Sequence, residues 1–159
     1  MNNDEVYNLL KNAAVGPVAF WTGGKYTVYI SDAGQLFATK ICFDNSKFKK
    51  DNGYSGWHAN HVIDNNHIKL LGWSHKFPPY EEQVCVLLPM EAHAKRFNSV
   101  VQSHGAGGLG VDLAISPEDV LLGYNEAYDL IGNYCGGGAA RCKREMLAVV
   151  KVIVDRGSK

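Results

Sequence analysis

The stretch between Val18 and Ile30 constrains this chain more than any other. Val18-Ala19-Phe20-Trp21 and Tyr26-Thr27-Val28-Tyr29-Ile30 are rich in β-branched and aromatic residues. Such side chains lose χ1 freedom in a helix and pack well on a pleated surface. Between them stands Thr22-Gly23-Gly24-Lys25, and glycine takes the positive φ of a tight hairpin turn at no steric cost. An antiparallel hairpin is therefore expected. Asp32-Ala33-Gly34 supplies a second turn, and Leu36 to Phe43 reads as a third strand that completes a meander.

The flanking segments extend this to a whole domain. Val6, Leu9, Leu10 and Ala13 recur at helical spacing before Gly16-Pro17, which predicts an N-terminal helix. Residues 44–66 lose all periodicity and hold five Asn, so they read as one long loop. His67 to Trp73 and Gln83 to Leu88 read as two further strands; the second is apolar on both faces and so belongs in the centre of a sheet. Residues 90–155 read as three helices. The first covers Met90 to Ser103. The second opens at Ser116-Pro117 with Glu118 and Asp119 in its first turn and runs to about Tyr134. The third runs from Ala139 to about Val154, with Cys142, Met146, Val149, Val150 and Ile153 as its buried stripe. The fold expected is α+β: one domain over 1–159, with a five-stranded antiparallel sheet and helices packed mainly on one face.

Composition narrows the function. The chain has 159 residues, 46% of them hydrophobic and 20% charged, within the range of domains that build a core. Sixteen basic and sixteen acidic residues cancel, so no overall field attracts a membrane surface, and a long nucleic-acid duplex is not an expected partner. No apolar run approaches the ~18 residues of a membrane span. The N-terminus lacks the basic and apolar regions of a secretory signal, and Cys42 and Cys85 sit inside apolar runs like small hydrophobes. The compartment expected is the cytoplasm, or the host cytoplasm if the chain is viral.

Four patterns carry candidate chemistry. His58, His61, Asp64 and His67 recur every three residues, and imidazole and carboxylate are ligands for a divalent metal such as zinc. The ordinary alternative is a solvated polar loop. His67 and His75 are candidates for general acid–base work, because imidazole titrates near neutrality. Asn66-His67-Ile68-Lys69 resembles the first motif of the two-histidine phosphoesterases, where Thr or Ser follows the histidine two positions on. Lys69 stands there and lacks the hydroxyl, and the later His93-Ala94-Lys95 lies on an expected helix. That family's activity is not carried over.

The third pattern is Gly136-Gly137-Gly138 before a helix bearing Arg141 and Arg144. Gly137 and Gly138 would let backbone approach a phosphate that the arginines grip. The ordinary alternative is a helix connection with a solvated basic face. The fourth is Lys47, Lys49 and Lys50 ahead of Tyr54 and Trp57. Cations beside stacking aromatics hold nucleotides, unless the aromatics turn inward to anchor the loop.

Two function classes follow. One is a non-catalytic interaction protein, an inhibitor or adaptor of viral or cellular origin. It would bind a protein or a nucleotide-type ligand through the aromatic loop and a sheet face, and it is compatible with a homo-oligomer. The other is a histidine-dependent, metal-assisted hydrolase of phosphoesters or nucleotides. The second requires at least two of the histidines to meet in one concave pocket.

Overall fold

A computed structural model describes residues 2–90, 116–131 and 139–159. The fold is α+β, built on a five-stranded antiparallel sheet with strand order β1-β2-β3-β5-β4. Helix α1 (Asn2–Asn12) precedes β1 (Ala19–Gly23), β2 (Tyr26–Ile30) and β3 (Leu36–Thr39). Then come α2 (Lys40–Asn45), α3 (Phe48–Asn52), β4 (Trp57–His61), α4 (Asn65–Leu70), two short 3-10 turns (Ser74–Lys76 and Tyr80–Glu82) and β5 (Val84–Pro89). Helices α5 (Pro117–Ile131) and α6 (Ala139–Gly157) close the described chain.

The hairpin forms where the sequence places it, with Ala19 opposite Ile30 and Gly23 opposite Tyr26. Its turn is Gly24-Lys25, and Gly24 has φ +59°. Positive φ at the first central residue alone is the φ pattern of a type II′ turn. Strand β5 is central, as expected, and lies between β3 and β4.

Three expected elements differ. The third strand stops at Thr39 instead of Phe43, because the Thr39 hydroxyl accepts the Cys42 N–H at 3.2 Å and caps α2. Residues 44–66 are not a loop: they carry the end of α2, then α3, β4 and the start of α4. Residues 67–73 are not a strand. Asp64 accepts the Asn66 N–H at 2.8 Å and caps α4, so His67 and Ile68 are helical. The fifth strand is β4, paired with β5 from Trp57↔Pro89 to His61↔Cys85. The expected helix from Met90 to Ser103 lies outside the described residues beyond Met90, and the loop of Gly105 to Gly110 lies wholly outside them.

Side chains alternate across the sheet and build two cores. Tyr29, Phe37, Val86 and Leu88 face α1, α5 and α6; Val28, Leu36, Ala38, Cys85 and Leu87 face Phe43 and Phe48 of α2 and α3. The expected buried stripe of α6 is complete, with Cys142, Met146, Val149, Val150 and Ile153 all buried. The longer helices therefore cover one face, and the segment expected to be a loop covers the other. Among the described residues no helix is long and apolar enough to cross a membrane.

Candidate functional site

The four candidate histidines do not converge. His58 stands opposite Leu88 and His61 opposite Cys85. Leu88 belongs to one core and Cys85 to the other, so the two imidazoles point to opposite faces of the sheet. His61 places Nε2 3.0 Å from the Tyr80 carbonyl and packs its ring on Tyr80, centroids 4.4 Å apart. His67 is buried on α4, with Nδ1 3.3 Å from the Tyr124 hydroxyl. His75 is exposed on a 3-10 turn.

Burial lowers the pKa of both His61 and His67, and Asp64 opposes the shift at each. The Asp64 side chain is engaged as the α4 cap. Among the described residues no three His, Cys, Asp or Glu gather as metal ligands. The structure does not bring the expected set of His58, His61, Asp64 and His67 onto one face, because a spacing of three changes sides along β4 and the chain then turns into α4.

The aromatic segment turns inward. Phe48 is buried and stacks on Tyr54 at 5.6 Å, and Tyr54 meets Trp57 edge-on at 4.8 Å. Lys49 donates to the Trp57 carbonyl at 3.1 Å, which ties α3 to β4. Lys47 and Lys50 are exposed. Lys49, Tyr54 and Trp57 therefore hold the second core together instead of forming an open stacking surface. Gly137 and Gly138 lie outside the described residues, while Arg141 and Arg144 are exposed on α6.

The buried thiols have no nucleophile setting. Burial raises the Cys42 thiol to about 11 and raises Cys85 further.

Among the described residues, two concave features and one open edge bear on function. The first concavity has an apolar floor that includes Val6, Leu9, Ile68 and Ile153, under the exposed Arg156–Glu5 pair at 3.1 Å. Its volume is about 40 Å³, far below the roughly 300 Å³ at which small-molecule sites begin. The second, of about 310 Å³, lies between the end of α1, the β2–β3 turn and α6, and includes Arg141 and Arg144.

The open edge is β1. It ends the strand order, and among the described residues no strand pairs with its outer side. Val18 is 62% exposed and Phe20 67% exposed. Phe20 stands opposite Tyr29, so both belong to the α1 face, beside the 41% exposed ring of Tyr7. Tyr7 and Tyr29 centroids are 6.0 Å apart. Helix α1 packs over β2 and β3 and leaves this shelf open. Trp21 points the other way, edge-on to Phe48 at 5.4 Å, and anchors the strand.

Sequence reasoning found this hairpin but not its exposure, which depends on how far α1 reaches across the sheet. It also missed Glu145. That carboxylate is only 4% exposed. It accepts hydrogen bonds from the Ser31 hydroxyl, from Ala33 N–H at 2.9 Å and from Gln35 Nε2 at 2.6 Å. The signal available was a single acid inside the apolar stripe of α6.

No protein-family model, curated protein or solved structure matches this chain.

Proposed function

We propose that this chain is a non-catalytic interaction protein whose β1 edge accepts an extended strand from a partner protein. One observation carries the reading: an uncharged, proline-free edge strand whose Phe20 is 67% exposed. Sheet edges in native proteins are usually blunted by charge, proline, bulges or a covering element. The opposite edge, β4, is treated that way. It carries His58, Asn60 and His61, and its Trp57 and His61 carbonyls accept from Lys49 and Asn60 at 3.1 Å each.

Strand addition would satisfy the outer backbone groups of β1 through main-chain hydrogen bonds. Alternate side chains of the incoming strand would cover Val18, Phe20 and Tyr7. The partner chemistry is therefore an extended segment with apolar residues at every second position. The scattered histidines lend the hydrolase reading no support.

A peptide-display selection against the folded chain tests this. Selected peptides should show the alternating apolar pattern, shift the backbone amide resonances of residues 18–23, and lose binding to Phe20→Lys. Peptides that bind elsewhere, or that bind Phe20→Lys undiminished, would refute it. Concentration-dependent dimerisation abolished by Phe20→Lys would identify a second copy as the strand donor and would replace the partner-protein reading.

A further inference from the structure

The cleft between α1 and α6 is independent of the β1 edge and has a different chemistry. Arg141, Arg144, Glu145 and Ala148 fall at i, i+3, i+4 and i+7 on α6, so one stripe of the helix forms one wall. Asp32 of the β2–β3 turn and the residues after α1 form the rest.

The walls carry two acids, Asp32 and Glu145, and two arginines, Arg141 and Arg144. Both oxygens of Glu145 are taken by the turn: Oε1 accepts from Ser31 and Gln35, and Oε2 from the Ala33 N–H. That carboxylate is therefore engaged by the turn on both of its oxygens. Arg141 spends one donor on the Asp32 carbonyl, Nη2 to O at 2.6 Å, which fixes its guanidinium over the cleft. Its remaining donors are not used by any described residue, and Arg144 has no partner among the described residues. Residues three apart on a helix are neighbours about 5–6 Å apart at Cβ, a spacing that lets two guanidinium groups share one oxyanion. Below them the floor is apolar, with Ala13, Ala14, Val15 and Ala148. The volume of about 310 Å³ admits a small organic molecule.

We propose that this cleft binds a small organic oxyanion, its phosphate or carboxylate head held by Arg141 and Arg144 and its apolar body lying on the alanine floor. The cleft lies between rigid elements: α1 packs on α6, and Glu145 ties α6 to the β2–β3 turn. Binding there requires no opening of the core.

The full chain titrated with phenyl phosphate, inorganic phosphate, benzoate and acetate, followed by amide chemical shifts, tests the proposal. Saturable shifts at residues 13–15 and 141–148 are expected. The aromatic anions should bind more tightly than the simple ones, because only they cover the floor. Comparing phenyl phosphate with benzoate assigns the head group. Arg144→Gln should weaken the better ligand about tenfold or more without altering the circular dichroism, since Arg144 is exposed. Ala148→Leu, which fills the floor and keeps both charges, should abolish the preference for the aromatic anions. Linear, non-saturating shifts, or affinity unchanged in Arg144→Gln, would overturn the site. Phe20→Lys should leave these titrations unchanged, so failure here and failure of the β1 reading are separable.

Discussion

The two faces of the sheet are held by different physics. The face under α1, α5 and α6 contains buried polar joints. Glu145 bonds the β2–β3 turn, the Tyr124 hydroxyl accepts the Asp64 N–H and meets His67, and the Tyr128 hydroxyl donates to the Val62 carbonyl at 3.1 Å. The face under α2 and α3 is closed by aromatic edges and stacks that run from Trp21 through Phe48 and Tyr54 to Trp57. Among the described residues every buried side-chain nitrogen and oxygen has a hydrogen-bond partner. Apolar packing tolerates exchange of similar volumes, whereas a buried polar joint fails when one partner goes. The first face is thereby fixed in one arrangement, and the second is the more substitutable.

The sharpest way to break this contrast is Glu145→Ala. It leaves the Ser31 hydroxyl, the Ala33 N–H and the Gln35 amide without their acceptor in a buried site. The expected loss is about 4 kcal/mol in urea unfolding, because three buried neutral donors lose their acceptor together. Glu145→Gln keeps the volume but offers one acceptor oxygen instead of two, and should recover only part of that. A loss under ~1 kcal/mol for Glu145→Ala would mean that water replaces the carboxylate and the joint is not what fixes this face.

On the other face the corresponding change is Phe48→Ala. Phe48 is 2% exposed and touches Trp21, Phe43 and Tyr54. Emptying that position should cost about 3 kcal/mol. Phe48→Leu should cost less than half of that, because the face is held by volume. If Phe48→Leu proves as damaging as Phe48→Ala, ring geometry matters more than volume and the contrast between the faces narrows.

Acid next reaches a lowered imidazole on each face. On the helical face, the buried His67 has its pKa lowered by desolvation. Its Nδ1 shares a 3.3 Å hydrogen bond with the Tyr124 hydroxyl, and protonation there places a charge in a buried site. The unfolded chain therefore binds this proton more tightly than the folded one. Stability is complete above the unfolded value near 6.5 and falls as pH drops below it, towards the lower folded pKa. His61 is lowered too, also by burial, and adds to the same loss. Urea midpoints between pH 7.5 and 5 should fall. The slope should shrink in His67→Asn, even if that variant is less stable throughout. An unchanged slope would show that His67 takes up its proton in the fold without penalty.

The same contrast explains what the sequence reveals and what it conceals. Where burial is periodic, the elements are legible: α1 from Val6, Leu9 and Leu10, the β1–β2 hairpin from its aromatics and Gly24, β5 from its continuous apolar run, and α6 from its stripe. The α2–β4 region conceals its structure because two short polar-surfaced helices bury only Cys42, Phe43 and Phe48, too few residues to show a period. Strand β4 buries Asn60 and half-buries two histidines, so its alternation is invisible on a hydrophobicity scale. The caps Thr39 and Asp64 were readable signals. Each sits inside a run of apparent strand or loop, where side-chain competition for backbone N–H groups decides the outcome. Of the site residues, Arg141 and Arg144 could be found from charge beside a helix start. Phe20 could be found as a hairpin residue, although its exposure depends on how far α1 reaches across the sheet.

The smallest expected effect on stability belongs to Phe20→Lys. Phe20 is 67% exposed and fills no core position, so the change should move the unfolding midpoint by less than ~0.5 kcal/mol. A residue whose only role is to cover its own domain would lose more, because replacing it would expose the Tyr29 side of the sheet. Tyr29 also packs on Tyr7, centroids 6.0 Å apart, so it keeps that cover when the Phe20 ring goes. A near-zero stability effect combined with lost peptide binding would therefore place Phe20 outside both cores and assign it to the partner. A loss above ~1.5 kcal/mol would instead make Phe20 the outer rim of the helical core, and β1 would then be an inner element of the fold and not an open edge.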